Sequence, residues 1–209
     1  MIKLSRGEKP EELTNDVCEE LKKLYAEDKD RDVWNSSKIK EPLKKAMIEM
    51  SHGKCSYCEC KLGIESKDVT IDHFLPKSEN PDEVVEWENL FPACLRCNRK
   101  KNKREERIVN PCVDEPKEYL GVTSVNRYRL KGIDTQGIGK NTIEVIGLND
   151  IERVMVPRMT EWEALKVHLE EIEEDLKEEG YKNKYRNRLQ KIMENCLFDK
   201  SYAAVKATN

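Results

Sequence analysis

Apolar residues recur at helical spacing in four stretches of the chain. Leu13, Val17, Leu21 and Leu24 mark residues 10–28 as an amphipathic helix, with Pro10 near its start. Leu43, Ala46, Met47 and Met50 predict a second helix from Pro42 to His52, where Pro42 suits a first turn and Gly53 a C-cap. The longest stripe runs over 158–179 through Trp162, Leu165, Leu169, Ile172 and Leu176, and Gly180 breaks it. Tyr185, Leu189, Ile192 and Cys196 mark a further helix. The two together predict an antiparallel helical hairpin, since the first is too short for a coiled coil. Core packing is sufficient reason for every one of these stripes.

Residues 54–104 have a different texture. "VTIDHF" alternates and is β-branched, which predicts a short strand, and "CLRCNRKKNKREER" reads as the start of a basic helix. Residues 113–150 are Gly-rich. There "NRYRLKGI" reads as a strand, whereas "NTIEVIGLND" fits a strand or a helix and periodicity does not decide. The expectation is a mostly helical α+β fold in three segments: a helical 1–53, a compact 54–112, and a mixed then helical 113–209.

Composition narrows the function. The chain has 209 residues, 38% of them charged, and a net charge of −3, so any nucleic-acid site must be a local patch. No apolar run approaches the length of a membrane span, and the opening "MIKLSRGEKPEEL" lacks the apolar centre of a signal peptide. A cytoplasmic protein without membrane contact is expected. Its eight cysteines then read as metal ligands or reduced thiols.

Cys55 and Cys58 form one CxxC pair, and Cys94 and Cys97 form another. Two such pairs predict a tetrahedral zinc site, each pair chelating from one tight turn. Four thiolates leave no open position, so the zinc is structural. Cys60 lies close enough to compete, but its spacing from Cys58 is wrong for a knuckle. Cys18, Cys112 and Cys196 read as ordinary thiols. A redox role is the weaker alternative, because one pair would suffice for it.

His73, one of three histidines, follows Asp72 directly. An isolated Asp-His pair reads as a structural hydrogen bond. His52, beside a helix end, and His168, on the polar side of a helix, read that way too. "CSYC", "IDHFLPKS", "WENLFPACLRCN" and "NRKKN", however, stand in one order over residues 55–104. Together they resemble the HNH endonucleases, whose ββα-metal core is bracketed by zinc. The resemblance implies that His73 is the general base, that Asp72 and Asn98 hold a catalytic divalent ion (Mg²⁺ or Mn²⁺), and that Asn89 holds the loop and helps to orient His73. The chemistry is coherent: an imidazole titrates near neutrality, and carboxylate and amide oxygens suit a hard cation. Adjacent strand residues face opposite sides, so Asp72 and His73 can meet one phosphate only if the strand bends or ends there; Pro76 is consistent with an ending.

The basic run Arg96, Arg99, Lys100, Lys101, Lys103, Arg104 and Arg107 follows the site. Next to a nuclease centre it reads as a phosphate-contact surface, with Lys77 and Lys61 as additions. A solvated helical face is the plainer alternative. The flanking "IKLSRGEKPEEL", "SHGKCSYCE", "IVNPC", "NTIEVIGLND" and Arg158 resemble the PtuB-type branch of HNH nucleases from Septu and retron-linked anti-phage systems. That resemblance implies DNA or tRNA as substrate and a complex with a PtuA-like ABC/SMC-type ATPase, docked on the helices outside the core. The rival classes are a non-catalytic zinc module that binds nucleic acid and a pure scaffold. Neither has a use for Asp72, His73 and Asn98 together.

Overall fold

The computed structural model describes residues 1–35, 38–63, 69–104, 106–123 and 128–160, with 163 and 167. Helix α1 covers Asn15–Glu27; Thr14 caps it by accepting the Val17 N–H, and Cys18, Leu21 and Tyr25 are buried. Helix α2, Lys40–Met50, buries Leu43, Met47 and Met50. Each of those side chains contributes about 1.5–3 kcal/mol by leaving water. The chain reverses after α2 through His52 and Gly53, both at positive φ, and the Gly53 N–H closes on the Ile48 carbonyl at 2.8 Å.

Strand β1, Val69–His73, pairs antiparallel with β2, Leu90–Cys94, and β2 runs straight into α3, Leu95–Lys101. This is the ββα unit. The long connection between the strands contains two 3₁₀ turns, Pro81–Glu83 and Trp87–Asn89. Beyond it lie the short helix α4, Pro116–Tyr119, and the pair β3, Leu120–Val122, and β4, Leu130–Gly132. "NTIEVIGLND" resolves as helix: α5 spans Ile138–Ile146 between two left-handed glycines, Gly137 and Gly147. Gly139 on α5 lies so close to the Tyr119 carbonyl that a Cβ there would sit 2.0 Å from its oxygen. A π-helical turn, Ile151–Met155, follows, and residues 156–160 are helical. Most of the stripe at 158–179 and all of the helix carrying Tyr185 to Cys196 lie outside the described residues.

The described chain is α+β, with helices around two small antiparallel sheets. Two apolar clusters hold it together. One surrounds the cysteines with Met1, Tyr57, Val109, Leu120, Ile146 and Leu148. The other joins α1 and α2 to Val84, Trp87, Leu90 and Phe91. The first crosses the segment boundaries expected near 53 and 112, and the second crosses the one near 53. Arg6 ties the N-terminal segment to the core: its guanidinium donates to the carbonyls of Trp87, Glu88 and Leu90 and lies 4.2 Å over the Phe91 ring. No described helix is long and apolar enough to cross a membrane.

Candidate active site and zinc cluster

The turn after α2 delivers Cys55 and Cys58, and the β2–α3 junction delivers Cys94 and Cys97. All four are buried and their sulfurs lie within 4.8 Å of one another. Four sulfurs around one zinc ion at about 2.3 Å stand roughly 3.8 Å apart. The Cys58 and Cys94 sulfurs are 3.8 Å apart. The residues therefore fit the ion, and a full set of buried thiolates needs that cation. The thiols already influence one another: hydrogen bonds led by Cys55 lower Cys58 and Cys94, while burial raises Cys55. Cys60 sits 3.3 Å from the Cys58 sulfur but is not one of the four converging ligands.

Strand β1 stays regular through His73, opposite Leu90. The strand ends at His73 as expected but does not bend at Asp72, and the pleat sends the two side chains apart. Asp72 is 3% exposed. It accepts from the Tyr57 hydroxyl and from the Lys101 ammonium, which stands 3.3–3.4 Å from its two oxygens. Lys101 also donates to the His73 carbonyl. Burial pushes the Asp72 carboxyl up to about 6 against the pull of Lys101, and burial holds the Tyr57 hydroxyl well above its ordinary range.

His73 and Asn98 share a cleft of about 390 Å³. The His73 Nε2 lies 2.8 Å from the Val84 carbonyl. A carbonyl only accepts, so Nε2 carries the hydrogen and Nδ1 keeps the lone pair. Burial lowers His73 to about 4, so the ring is neutral near pH 7. The Asn98 amide donates to the Thr70 hydroxyl at 2.9 Å, and Thr70 donates to Ala93 across the sheet. Asn89 is buried and spans the loop: it accepts the Leu75 N–H at 2.7 Å and donates to the carbonyls of Leu75 and Glu83. It thereby fixes the segment whose Val84 carbonyl receives His73.

The two ligands expected for a divalent ion differ in what they already hold. Asn98 Oδ1 is free among the described residues, and its amide bonds to Thr70, which shares a face of β1 with Asp72; the Asp72 carboxylate itself is engaged by Tyr57 and Lys101. The expected phosphate surface also changes. Lys101 is 1% exposed, because a buried Asp72 needs a countercharge. Arg96 donates to the Gly147 carbonyl and approaches Asp150 at 3.9 Å, so it is bound to the end of α5. Arg99, Lys100, Lys103 and Arg104 are exposed. Lys77 lies in the cleft, over the Tyr25 ring. Sequence reasoning missed Lys40 and Lys44, which line the same cleft from α2, as well as the anchoring role of Arg6. The i, i+4 spacing of Lys40 and Lys44 was the available signal.

Residues 55–104 match the family model described as HNH endonuclease. The chain is 40% identical over 162 residues to Septu protein PtuB of Bacillus thuringiensis, across 76% of this chain and 59% of that protein. It is 27% identical over 142 residues to Septu protein PtuB of Bacillus mycoides, across 52% of this chain and 47% of that protein. The chain thus spans about half to three-fifths of the length of these curated relatives.

Proposed function

We propose, from the HNH domain at residues 55–104, that this chain is an endonuclease that hydrolyses phosphodiester bonds in DNA or tRNA. Its setting is an anti-phage complex, a reading that rests on the likeness to the two Septu proteins. Its partner in that complex is a PtuA-like ABC/SMC-type ATPase, and the helices outside residues 54–112 are the docking surface. The observation that carries the catalytic reading is the state of His73: a neutral imidazole, its Nε2–H given to a backbone carbonyl and its Nδ1 lone pair kept, in a cleft shared with Asn98.

In this reading Nδ1 takes a proton from water as the water oxygen bonds to phosphorus, and the opposite P–O bond breaks. The leaving sugar oxygen then takes a proton from solvent. General-base assistance of this kind contributes about 10²–10⁴-fold. Asn89 is a positioning residue acting through Val84, and Asn98 presents its amide to the phosphate side. Arg99, Lys103 and Arg104 extend outward as secondary phosphate contacts. The zinc ion would be held by Cys55, Cys58, Cys94 and Cys97, fixing the start of α3 and with it Asn98. The resemblance implies a catalytic Mg²⁺ or Mn²⁺ as well; no step is assigned to it, because Asp72 is committed elsewhere. A zinc module that only binds nucleic acid has no use for the tautomer of His73.

His73→Ala tests the reading. Cleavage of plasmid DNA and of total tRNA, each assayed with and without Mg²⁺, should fall to background while zinc content and melting temperature stay at the parent values. A His73→Ala protein that still cuts overturns the assignment.

A further inference from the structure

The ββα unit forms only part of the cleft wall; α2 and the segment before it form the rest. Lys40 and Lys44 are one helical turn apart, so they project from one side of α2, while Leu43, Met47 and Met50 bury the other. Both lysines line the cleft that holds His73 and Asn98. Lys40 is engaged by Asn35 and stands 4.0 Å from Asp32. Lys77 is held between the Tyr25 ring and the Arg31 carbonyl. Lys44 has no hydrogen-bond or ion-pair partner among the described residues, and the residue is partly buried. A partly buried lysine that has no partner among the described residues and lines the cleft of a general base is suited to an anion.

We propose that Lys44, with Lys40 and Lys77 flanking it, binds the substrate phosphate against His73, so that α2 is one wall of the active cleft. The inference rests on the proposed phosphodiester chemistry and adds the residues that hold the substrate. It accounts for the charge of the reacting phosphate, since the ammonium of Lys101 is sealed beneath the strand and cannot reach it. It also explains why the N-terminal helices share an apolar cluster with β2. That packing fixes the distance from α2 to His73.

The test is equilibrium binding by the full chain on the uncleaving His73→Ala background. The probes are a fluorescein-labelled DNA duplex and, separately, labelled tRNA. Lys44→Ala should weaken binding at least about five-fold at moderate salt, and should flatten the dependence of log K on log salt by up to about 0.9 on duplex or about 0.7 on single strands. Lys44→Arg should restore both. Lys45→Ala, the same charge loss on the same helix but outside the cleft, should leave both unchanged. Binding by Lys44→Ala equal to that of the parent overturns the inference, as does equal damage from Lys45→Ala or a parent that binds neither probe. Binding that depends on Lys44 in a chain that never cuts leaves the inference standing and removes the catalytic reading instead.

Discussion

The two sides of β1 use neighbouring residues for opposite purposes. Beneath the strand, Asp72 is sealed against Tyr57 and Lys101 and adjoins the cysteine cluster, since Tyr57 sits between Cys55 and Cys58. Above it, His73 looks into a cleft that three lysines, Asp30 and Asp32 also line. One peptide bond separates a buried ion pair from a neutral imidazole with a free lone pair. The pleat of an uninterrupted strand is enough to cause this. Charge is paired inside the protein on the lower side; on the upper side Lys40 meets Asp32, and Lys44 has no partner among the described residues. Perturbations below the strand should therefore affect stability first, and perturbations above it binding and cleavage first.

The largest effect should come from the cysteines. Structural zinc contributes on the order of 10–16 kcal/mol of folding free energy in small domains. Cys94→Ser removes a ligand at the junction that starts α3, so it should lose bound zinc and the cooperative melt together, and cleavage with them. Metal analysis and thermal denaturation read both. A variant that melts normally without zinc would break the division, because the lower side would then not depend on the ion.

Next is Lys101→Met, which leaves Asp72 buried without its cation. Breaking a buried pair costs about 3–5 kcal/mol. The pH dependence gives this prediction its sign. The native Asp72 carboxyl stands at about 6 against an ordinary 3.8, so its contribution is complete below 3.8 and is lost as pH rises through about 6. His73 runs the other way: it is lowered from 6.5 to about 4, so its contribution is present above 6.5 and is lost as pH falls through about 4. In the parent the two slopes oppose each other across nearly the same window. Lys101→Met pushes Asp72 higher still, so its deficit should be greatest at neutral pH and should shrink on acidification towards Asp72's ordinary range. Denaturant midpoints across that range would show it. A deficit that grows in acid would place the dominant titration on the upper side of the strand.

The sequence carried these two sides unequally. The zinc ligands were legible because a CxxC turn is local chemistry: spacing alone brings two sulfurs together. His73 and Asn98 were legible through the order of short motifs. The fate of Asp72 was not, because it depends on whether the strand bends, and Pro76 lies too far along to bend it at residue 72. Lys101 looked like one more exposed cation of a basic run. Its burial follows from the register of α3 over β1, a tertiary fact that composition does not encode. Lys40 and Lys44 were hidden in the same way, on a helix read only for its apolar stripe. The glycines at 137 and 147 would have decided "NTIEVIGLND" in favour of helix, since left-handed positions at both ends bracket α5.

Two i, i+4 basic pairs make the comparison sharpest, and here the expected effect is smallest. Lys40 and Lys44 look into the cleft, whereas Arg96 and Lys100 cover the C-terminal end of α5. Arg96 donates to the Gly147 carbonyl, and the Lys100 chain would come within 3.3 Å of a Cβ added at Gly147. Cations at a helix C-terminus contribute about 0.3–1 kcal/mol at an exposed position. Lys100→Ala should therefore cost a few tenths of a kcal/mol in stability, near the lower end of that range, and should leave the salt slope of nucleic-acid binding at the parent value. Chemical denaturation and the same two labelled probes would measure both. If Lys100→Ala flattened the slope as much as Lys44→Ala, the substrate would run along α3 as well as α2. The basic run would then regain the phosphate-binding role that its sequence first suggested, with α5 behind it as support.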